Sequence, residues 1–346
     1  MTNKLLRFVD PYPFVPRDPE TRTARCEEIV AIQTLGLARR LRSVSQRLGI
    51  ASLPVAIGVS GGLDSTLALL ITVRVFDALG WPRDNIKTRS MPGFGTSSRT
   101  RKNAALLVQG IGTSFEEISI VEAATQHLRR IGHEPCMRCV QCQNAQARER
   151  THILMDTAFV IGTGDLSEIA LGWSTYNGDH MSMYNVNAGV PKTLVRHLVR
   201  FVAEHADTSA EIRATLLDIL GTPISPELEG PDASGKVSQK TEEIIGPYEL
   251  HDFFLFHVLR NGFEPEKVLF LAEHANSQKG FSRMYSAREL AVWLGEFYRR
   301  FSNAQFKRDA GPDGPKVGSV ALSQRGDWRM PTEAFLRNWI DRLSHQ

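Results

Sequence analysis

The sequence predicts an α/β protein: a parallel sheet with helices on both faces, preceded by an N-terminal helical arm and followed by a mostly helical C-terminal part. Three observations predict it. Short apolar runs alternate with helix-period segments between residue 55 and about residue 161, and strands alternating with helices at that pitch imply parallel pairing through crossovers. A Ser/Gly turn stands between the first apolar run and the helix after it, the junction where open α/β sheets bind ligands. The 346 residues are 42% hydrophobic and 23% charged, an ordinary globular mix that buries roughly three quarters of its unfolded surface without disulfides.

Residues 1–48 read as a linker and an amphipathic helix, because Ile29, Ile32, Leu37, Leu41, Val44 and Leu48 recur at mostly three- and four-residue steps. Residues 49–346 form the main domain with its helical extension. Within it, residues 55–59 form a buried strand that runs through the turn into a helix ending near Gly80. Residues 86–91 and 114–120 are strands, and 100–109 and 121–130 are helices. A long helix follows over about 144–157, then a short strand at 159–161. Beyond Pro191 the pattern is mostly helical. Two stretches rich in Gly, Pro and charge interrupt it, 221–247 and 309–318. The first is too long for an ordinary connection and is expected to be a lid that orders over bound substrates, the alternative being a passive disordered insert.

The net charge of +3 excludes a nucleic-acid coat or a polybasic membrane binder. No window approaches the roughly 20 apolar residues of a membrane-spanning helix, and Pro11 and Pro13 break the start where a signal peptide would need an apolar core. The expected compartment is the cytoplasm.

Three of the four cysteines form Cys136-x2-Cys139-x2-Cys142. This spacing lets thiolates converge on zinc or an iron–sulfur cluster, with His133 or the distant Cys26 as the only evident fourth ligands. It is equally the spacing of a loop with three free thiols. Both readings stay open.

The six residues Ser60-Gly61-Gly62-Leu63-Asp64-Ser65 carry more chemistry. Two glycines let the backbone N–H groups turn inward, and the following helix adds its positive end. The Ser60 and Ser65 hydroxyls supply further donors to this anion nest. A Walker A loop would place Lys where Asp64 stands. A carboxylate inside a phosphate cradle makes sense when a divalent cation lies between the two, so Asp64 implies Mg²⁺. A tight turn with an Asp/Ser helix cap would use the same residues.

A second motif, Gly162 to Asp179, follows the short strand. Glu168 begins a helix at that strand's carboxyl end and could join Asp64 on the metal. The Asp165-x-x-Glu168 spacing also fits a capping box. Trp173 and Tyr176 are either core aromatics or a stacking platform for a ring.

The Ser60–Ser65 loop resembles that of the PP-loop ATP pyrophosphatases, which split ATP into AMP and pyrophosphate to activate a substrate oxygen. The stretches 144–148, 162–173, 181–193, 245–254, 305–308 and 326–329, in that order, make the chain similar to the NAD⁺ synthetases. It is most similar to the synthetase domain of the bacterial glutamine-dependent enzymes. The similarity runs from about residue 14 to the C-terminus.

That resemblance implies a Rossmann-like PP-loop fold and a ligase that makes NAD⁺, AMP and pyrophosphate from deamido-NAD⁺, ATP and ammonia. Gly58, Val59, Ser60, Gly61, Gly62, Leu63, Asp64 and Ser65 would hold the ATP triphosphate, Thr163 would touch the ATP, and Lys192 would contact its phosphates. Asp64 and Glu168 would carry Mg²⁺. Asn144, Glu168, Trp173, Ser174, Thr175, Tyr176 and Lys307 would receive deamido-NAD⁺, and Asp179 would lie toward the nicotinate end and ammonia. A homodimer or larger homo-oligomer is implied, with no nucleic-acid or membrane partner. Three features depart from the family pattern. No counterpart of its N-terminal amidase, with that domain's catalytic cysteine, is recognised, so ammonia is expected to arrive free or from a partner. The turn between Thr157 and Gly162 is short, and Cys136, Cys139, Cys142 and Gln143 stand where close relatives hold acidic and aromatic residues. The rival readings are a PP-loop thiolation enzyme using the three cysteines and a catalytically weakened assembly subunit.

Overall fold

The computed structural model describes residues 5–96, 98–136, 139–205, 208–221 and 241–343. The expected lid falls largely on residues 222–240, which lie outside the described residues.

The chain opens with helix α1 (Pro19–Leu48), started by Asp18, whose carboxylate accepts the Thr21 N–H at 2.7 Å, and stopped by Gly49 at φ +67°. Its apolar stripe, Ile29, Val30, Leu37 and Leu41, is buried in the core around the sheet, so the arm is packed as an integral layer. Strand β1 (Val55–Gly58) leads into α2 (Leu63–Leu79), and β2 (Ile86–Ser90), α3 (Ser98–Ile111), β3 (Ser114–Glu117) and α4 (Val121–Arg130) continue the alternation. Then come α5 (Val140–Thr157), β4 (Phe159–Gly162), α6 (Leu166–Leu171), β5 (Tyr184–Asn185), α7 (Lys192–His205) and α8 (Ala210–Leu220). The remainder is helical: α9 (Thr241–Ile245), α10 (Tyr248–Leu255), α11 (Pro265–Ser277), α12 (Ala287–Asn303), α13 (Gln305–Asp309) and α14 (Arg337–Leu343).

The five strands run parallel in the order β3-β2-β1-β4-β5, with Val55 paired to both Ile86 and Phe159. The order reverses between β1 and β4, so the loops leaving their carboxyl ends diverge and open a crevice there. One core surrounds the sheet and contains Ile57, Leu67, Phe76, Leu194 and Leu198. A second, largely aromatic core joins α10, α11 and α12 through Phe253, Phe254, Val268, Leu271, Phe297, Tyr298 and Phe301. Helix α6 packs into the second core by Leu166, Ala170 and Leu171, whereas α7 packs into the first. The seam between the two cores therefore passes through the crevice.

Several boundaries differ from the expected ones. The strand expected over 114–120 ends at Glu117, and the helix expected from residue 144 begins at Val140, because the Cys139 side chain caps it. β5 has two residues, too few to produce any periodicity in the sequence.

Candidate active site

The loop after β1 is shaped by Gly61, at φ +84°; a Cβ there would lie 2.3 Å from the Thr100 carbonyl oxygen. Both the left-handed backbone and the close approach demand glycine. The loop is knitted by its own hydroxyls. Ser65 Oγ donates to the Gly62 carbonyl at 3.1 Å and accepts from the Ser60 N–H at 3.3 Å, while Ser60 Oγ accepts from the Gly62 N–H at 3.1 Å. Gly62 is the N-cap of α2 with no side-chain cap bond, which leaves the first turn of that helix pointing its N–H groups into the crevice.

Facing this cradle, Lys192 at the start of α7 lies 2.7 Å from Asp64, 2.6 Å from Asp165 and 2.8 Å from Glu168. Its ammonium also stands 5.2 Å from the Tyr248 ring centroid. Asp165 is the N-cap of α6 and accepts the Glu168 N–H at 2.8 Å. The expected capping box is thus half made: the Asp165 half caps, while Glu168 turns to Lys192. Burial raises Asp165 well above the usual carboxylate range and pushes Glu168 up to about 7, with Lys192 pulling the other way and the Asp64 charge adding to the rise. Burial opposes the charge on Lys192, but Asp165, Asp64 and Glu168 together outweigh it and hold its pKa well above the usual lysine range.

Three carboxylates against one ammonium leave a formal excess of negative charge. One oxygen each from Asp64, Asp165 and Glu168 lies within 4.8 Å of the others, and Asp64 Oδ1 is buried with no hydrogen-bond partner. An orphaned carboxylate oxygen in an all-oxygen cluster fits a divalent cation such as Mg²⁺. Asp165 is the acid that sequence reasoning missed as a member of this cluster, since its spacing to Glu168 already accounted for it as a cap.

A cavity of about 540 Å³ joins these groups. It is lined by residues 58–65, by Asn144, Thr163, Glu168, Trp173, Ser174, Thr175, Asp179, Lys192 and Lys307, and by Arg89, Arg150 and Arg300. All of the expected site residues line it except Tyr176. That ring is 42% exposed, stacked on His180 at 5.0 Å and set 5.2 Å from Phe306, beside the cavity and not in its lining. Asp179 accepts the Thr175 N–H at 2.6 Å, and burial raises its pKa. Lys307 donates to the carbonyls of Gly172, at 2.7 Å, and Ser174; its pKa is lowered by burial. Both side chains fix the 172–179 turn as well as lining the cavity. The short turn at Ala158 leaves Glu168 in place beside Lys192.

Two buried residues set this geometry and were legible only as parts of longer motifs. Asn187 Nδ2 donates to the carbonyls of Asp64 at 2.9 Å and Thr163 at 3.0 Å, tying the β1 and β4 loops together, while Gln33 of α1 holds its oxygen at 3.1 Å. Asp252 of α10 accepts from Ser167 and from the Thr193 N–H at 2.9 Å and hydroxyl at 2.6 Å. It thereby grips the neighbours of Glu168 and Lys192. The buried Arg308 donates to the Ala170 carbonyl at 3.0 Å, closing the end of α6 just before Trp173.

A parallel sheet with a strand–Ser/Gly-loop–helix anion cradle, facing clustered carboxylates and a lysine across its switch point, defines an α/β nucleotide-binding protein of the PP-loop fold. The NAD synthase family model matches residues 37–288, and the chain belongs to that family. It is 44% identical to the glutamine-dependent NAD(+) synthetase of Mycobacterium leprae over 366 aligned positions, covering 99% of this chain and 53% of the relative. The Mycobacterium tuberculosis H37Rv enzyme of the same name is also 44% identical, with coverage of 99% and 53%. The chain thus spans about half the length of the curated relatives it matches. Among solved structures, a glutamine-dependent NAD(+) synthetase from Cytophaga hutchinsonii superposes with a TM-score of 0.73 at 18% identity, over 92% of this chain and 56% of that one, a likeness of fold. These matches do not favour the thiolation or assembly-subunit readings.

Proposed function

We propose that the chain adenylates the nicotinate carboxylate of deamido-NAD⁺ with ATP and amidates it with ammonia, giving NAD⁺, AMP and pyrophosphate. The observation that carries this reading is the single cavity in which an anion cradle, a carboxylate–lysine cluster and an aromatic and amide wall meet in a chain of the NAD synthase family.

A nicotinate carboxylate is a poor electrophile and must first be activated. Its oxygen attacks the α-phosphorus of ATP, the bond to the bridging oxygen breaks, and pyrophosphate leaves toward the N–H groups at the start of α2. The Lys192 ammonium, kept charged by its three carboxylates, stands beside that leaving group. Asp64 and Glu168, with Asp165 behind them, would hold Mg²⁺, which supplies Lewis-acid stabilisation of the phosphate charge. Trp173, Asn144 and the 172–175 turn held by Lys307 orient the dinucleotide. Ammonia then adds to the acyl carbon, AMP departs with the bonding electrons, and the surplus ammonia proton passes to solvent or a nearby carboxylate such as Asp179 in the cavity wall. No side-chain nucleophile is needed, so the residues act by positioning and charge.

The same reading carries a cytoplasmic homodimer or larger homo-oligomer, checked by light scattering of the purified chain, with ammonia arriving free or from a glutaminase. No described helix is long and apolar enough to cross a membrane.

The test is NAD⁺ formation with ammonium and with glutamine, alongside ATP–pyrophosphate exchange dependent on deamido-NAD⁺. Wild type should turn over with ammonium, and Asp64→Ala should lose about 10²–10³-fold in rate with its circular dichroism intact. Absence of exchange stimulated by deamido-NAD⁺ in folded wild type would overturn the reading.

A further inference from the structure

The loop that precedes α5 and the first turn of that helix bring four metal-binding side chains together beside the nucleotide cavity. His133 Nε2 lies 3.0 Å from Cys139 Sγ and 3.9 Å from Cys136 Sγ, and Cys136 Sγ lies 3.7 Å from Cys142 Sγ. The four candidate ligand atoms all fall within 4.8 Å of one another. Cys26, the other possible fourth ligand, is buried in α1 within the core around the sheet.

A tetrahedral Zn²⁺ with Zn–S bonds of about 2.3 Å and a Zn–N bond of about 2.0 Å sets its sulfurs roughly 3.8 Å apart and its nitrogen roughly 3.5 Å from each sulfur. The observed separations straddle those values. A four-iron cluster spreads its thiolates over separate irons and needs them farther apart. The backbone is arranged for thiolates as well. The Cys136, Cys139 and Cys142 N–H groups point at the sulfurs of Cys142, Cys136 and Cys139 at 3.3, 3.4 and 3.4 Å, orienting the ligands from a second layer. Cys139 is the N-cap of the 18-residue α5, whose positive end offsets the negative charge that three thiolates leave on a divalent ion.

We infer that His133, Cys136, Cys139 and Cys142 bind one structural Zn²⁺. On binding, each thiol releases its proton to solvent, His133 lends a neutral ring nitrogen, and nothing is oxidised or reduced. The ion clamps the loop to the start of α5, the helix that carries Val140, Gln143 and Asn144 into the cavity wall. The inference stands on ligand geometry alone and does not depend on the reaction carried out in the cavity.

The test is elemental analysis of the full chain purified under reducing conditions, dialysed against buffer with trace zinc. About one zinc per chain is expected from the four-ligand count, falling at least tenfold in Cys136→Ser. Cys136 is exposed, so its replacement should not disturb packing; the buried Cys142 is the riskier site. Should Cys136→Ser nevertheless fail to fold, Co²⁺ added to metal-stripped wild type decides, since a tetrahedral thiolate site gives intense visible and sulfur-to-metal charge-transfer bands. Folded wild type that takes up neither zinc nor cobalt and exposes three titratable thiols would overturn the inference. So would bound iron with cluster colour, or a Cys136–Cys142 disulfide in place of the metal.

Discussion

Two clusters of four polar side chains flank one cavity, and they are built in opposite ways. Asp64, Asp165, Glu168 and Lys192 come from the starts of three helices, α2, α6 and α7, with a sequence separation of 128 between Asp64 and Lys192. His133, Cys136, Cys139 and Cys142 come from ten consecutive positions. The first exists only because the sheet places β1 beside β4 and α10 latches α6 to α7 through Asp252. The second needs little more than a loop and the first turn of a helix. The acid cluster is also strained electrostatically, with burial raising Asp165 and Glu168 against their own charge. Such strain is common where a protein is built to receive a charged ligand. The thiol cluster carries a milder conflict of the same kind, since burial and the neighbouring Cys136 and Cys142 push the Cys139 thiol up to about 11.

The sharpest way to break the comparison is Lys192→Met, which removes the ammonium that pairs with all three carboxylates. Loss of one partner from a buried charge cluster costs about 3–5 kcal/mol, so the denaturant midpoint should fall markedly. An unchanged midpoint would mean that the cluster is not coupled as described.

A pH titration next probes α10, the helix whose Asp252 latches the acid cluster in place. His251 neighbours Asp252 on α10, is buried, and donates from Nε2 to the Ile245 carbonyl at 2.6 Å; burial pushes its pKa down to about 4. The unfolded chain binds this proton near the ordinary value while the folded one does not, so stability is lost as pH falls from about 6.5 to about 4, by up to roughly 3 kcal/mol. Chemical unfolding at stepped pH should reveal this slope, and His251→Asn should flatten it.

A smaller effect is expected from Asn187→Ala, which leaves the Asp64 and Thr163 carbonyls without their shared donor. A cost of about 1–3 kcal/mol is expected in unfolding, together with weaker ATP-dependent exchange, because the two loops lose their tie. If exchange kinetics are unaffected, Asn187 is not a positioning residue for the cradle. The smallest effect belongs to Tyr176→Ala. Its ring lies outside the cavity, so the KM for deamido-NAD⁺ should stay within about twofold, as for an ordinary surface change. A tenfold rise would place the ring on the substrate after all.

Alternation of apolar runs and helical periods made the sheet and its order of elements readable, because each strand and helix carries its own repeat. Two-residue β5 was unreadable for the same reason, since no period fits in so short a span. The Ser60–Ser65 loop was readable because glycine at Gly61 answers a local backbone demand. Tyr176 shows the opposite case: adjacency to Trp173 suggested a shared platform, but the turn at residues 174–179 rotates its ring onto His180 instead.

From the order of residues alone came the α/β class, the anion cradle and the thiol spacing, each an expression of local backbone preference or short-range geometry. Tertiary structure alone decided that Asp165 joins the acids around Lys192, and that Asn187 and Asp252 hold the loops in register. These depend on segments far apart in the chain meeting at a sheet's switch point, and burial there sets charges and contacts that no neighbouring residue specifies.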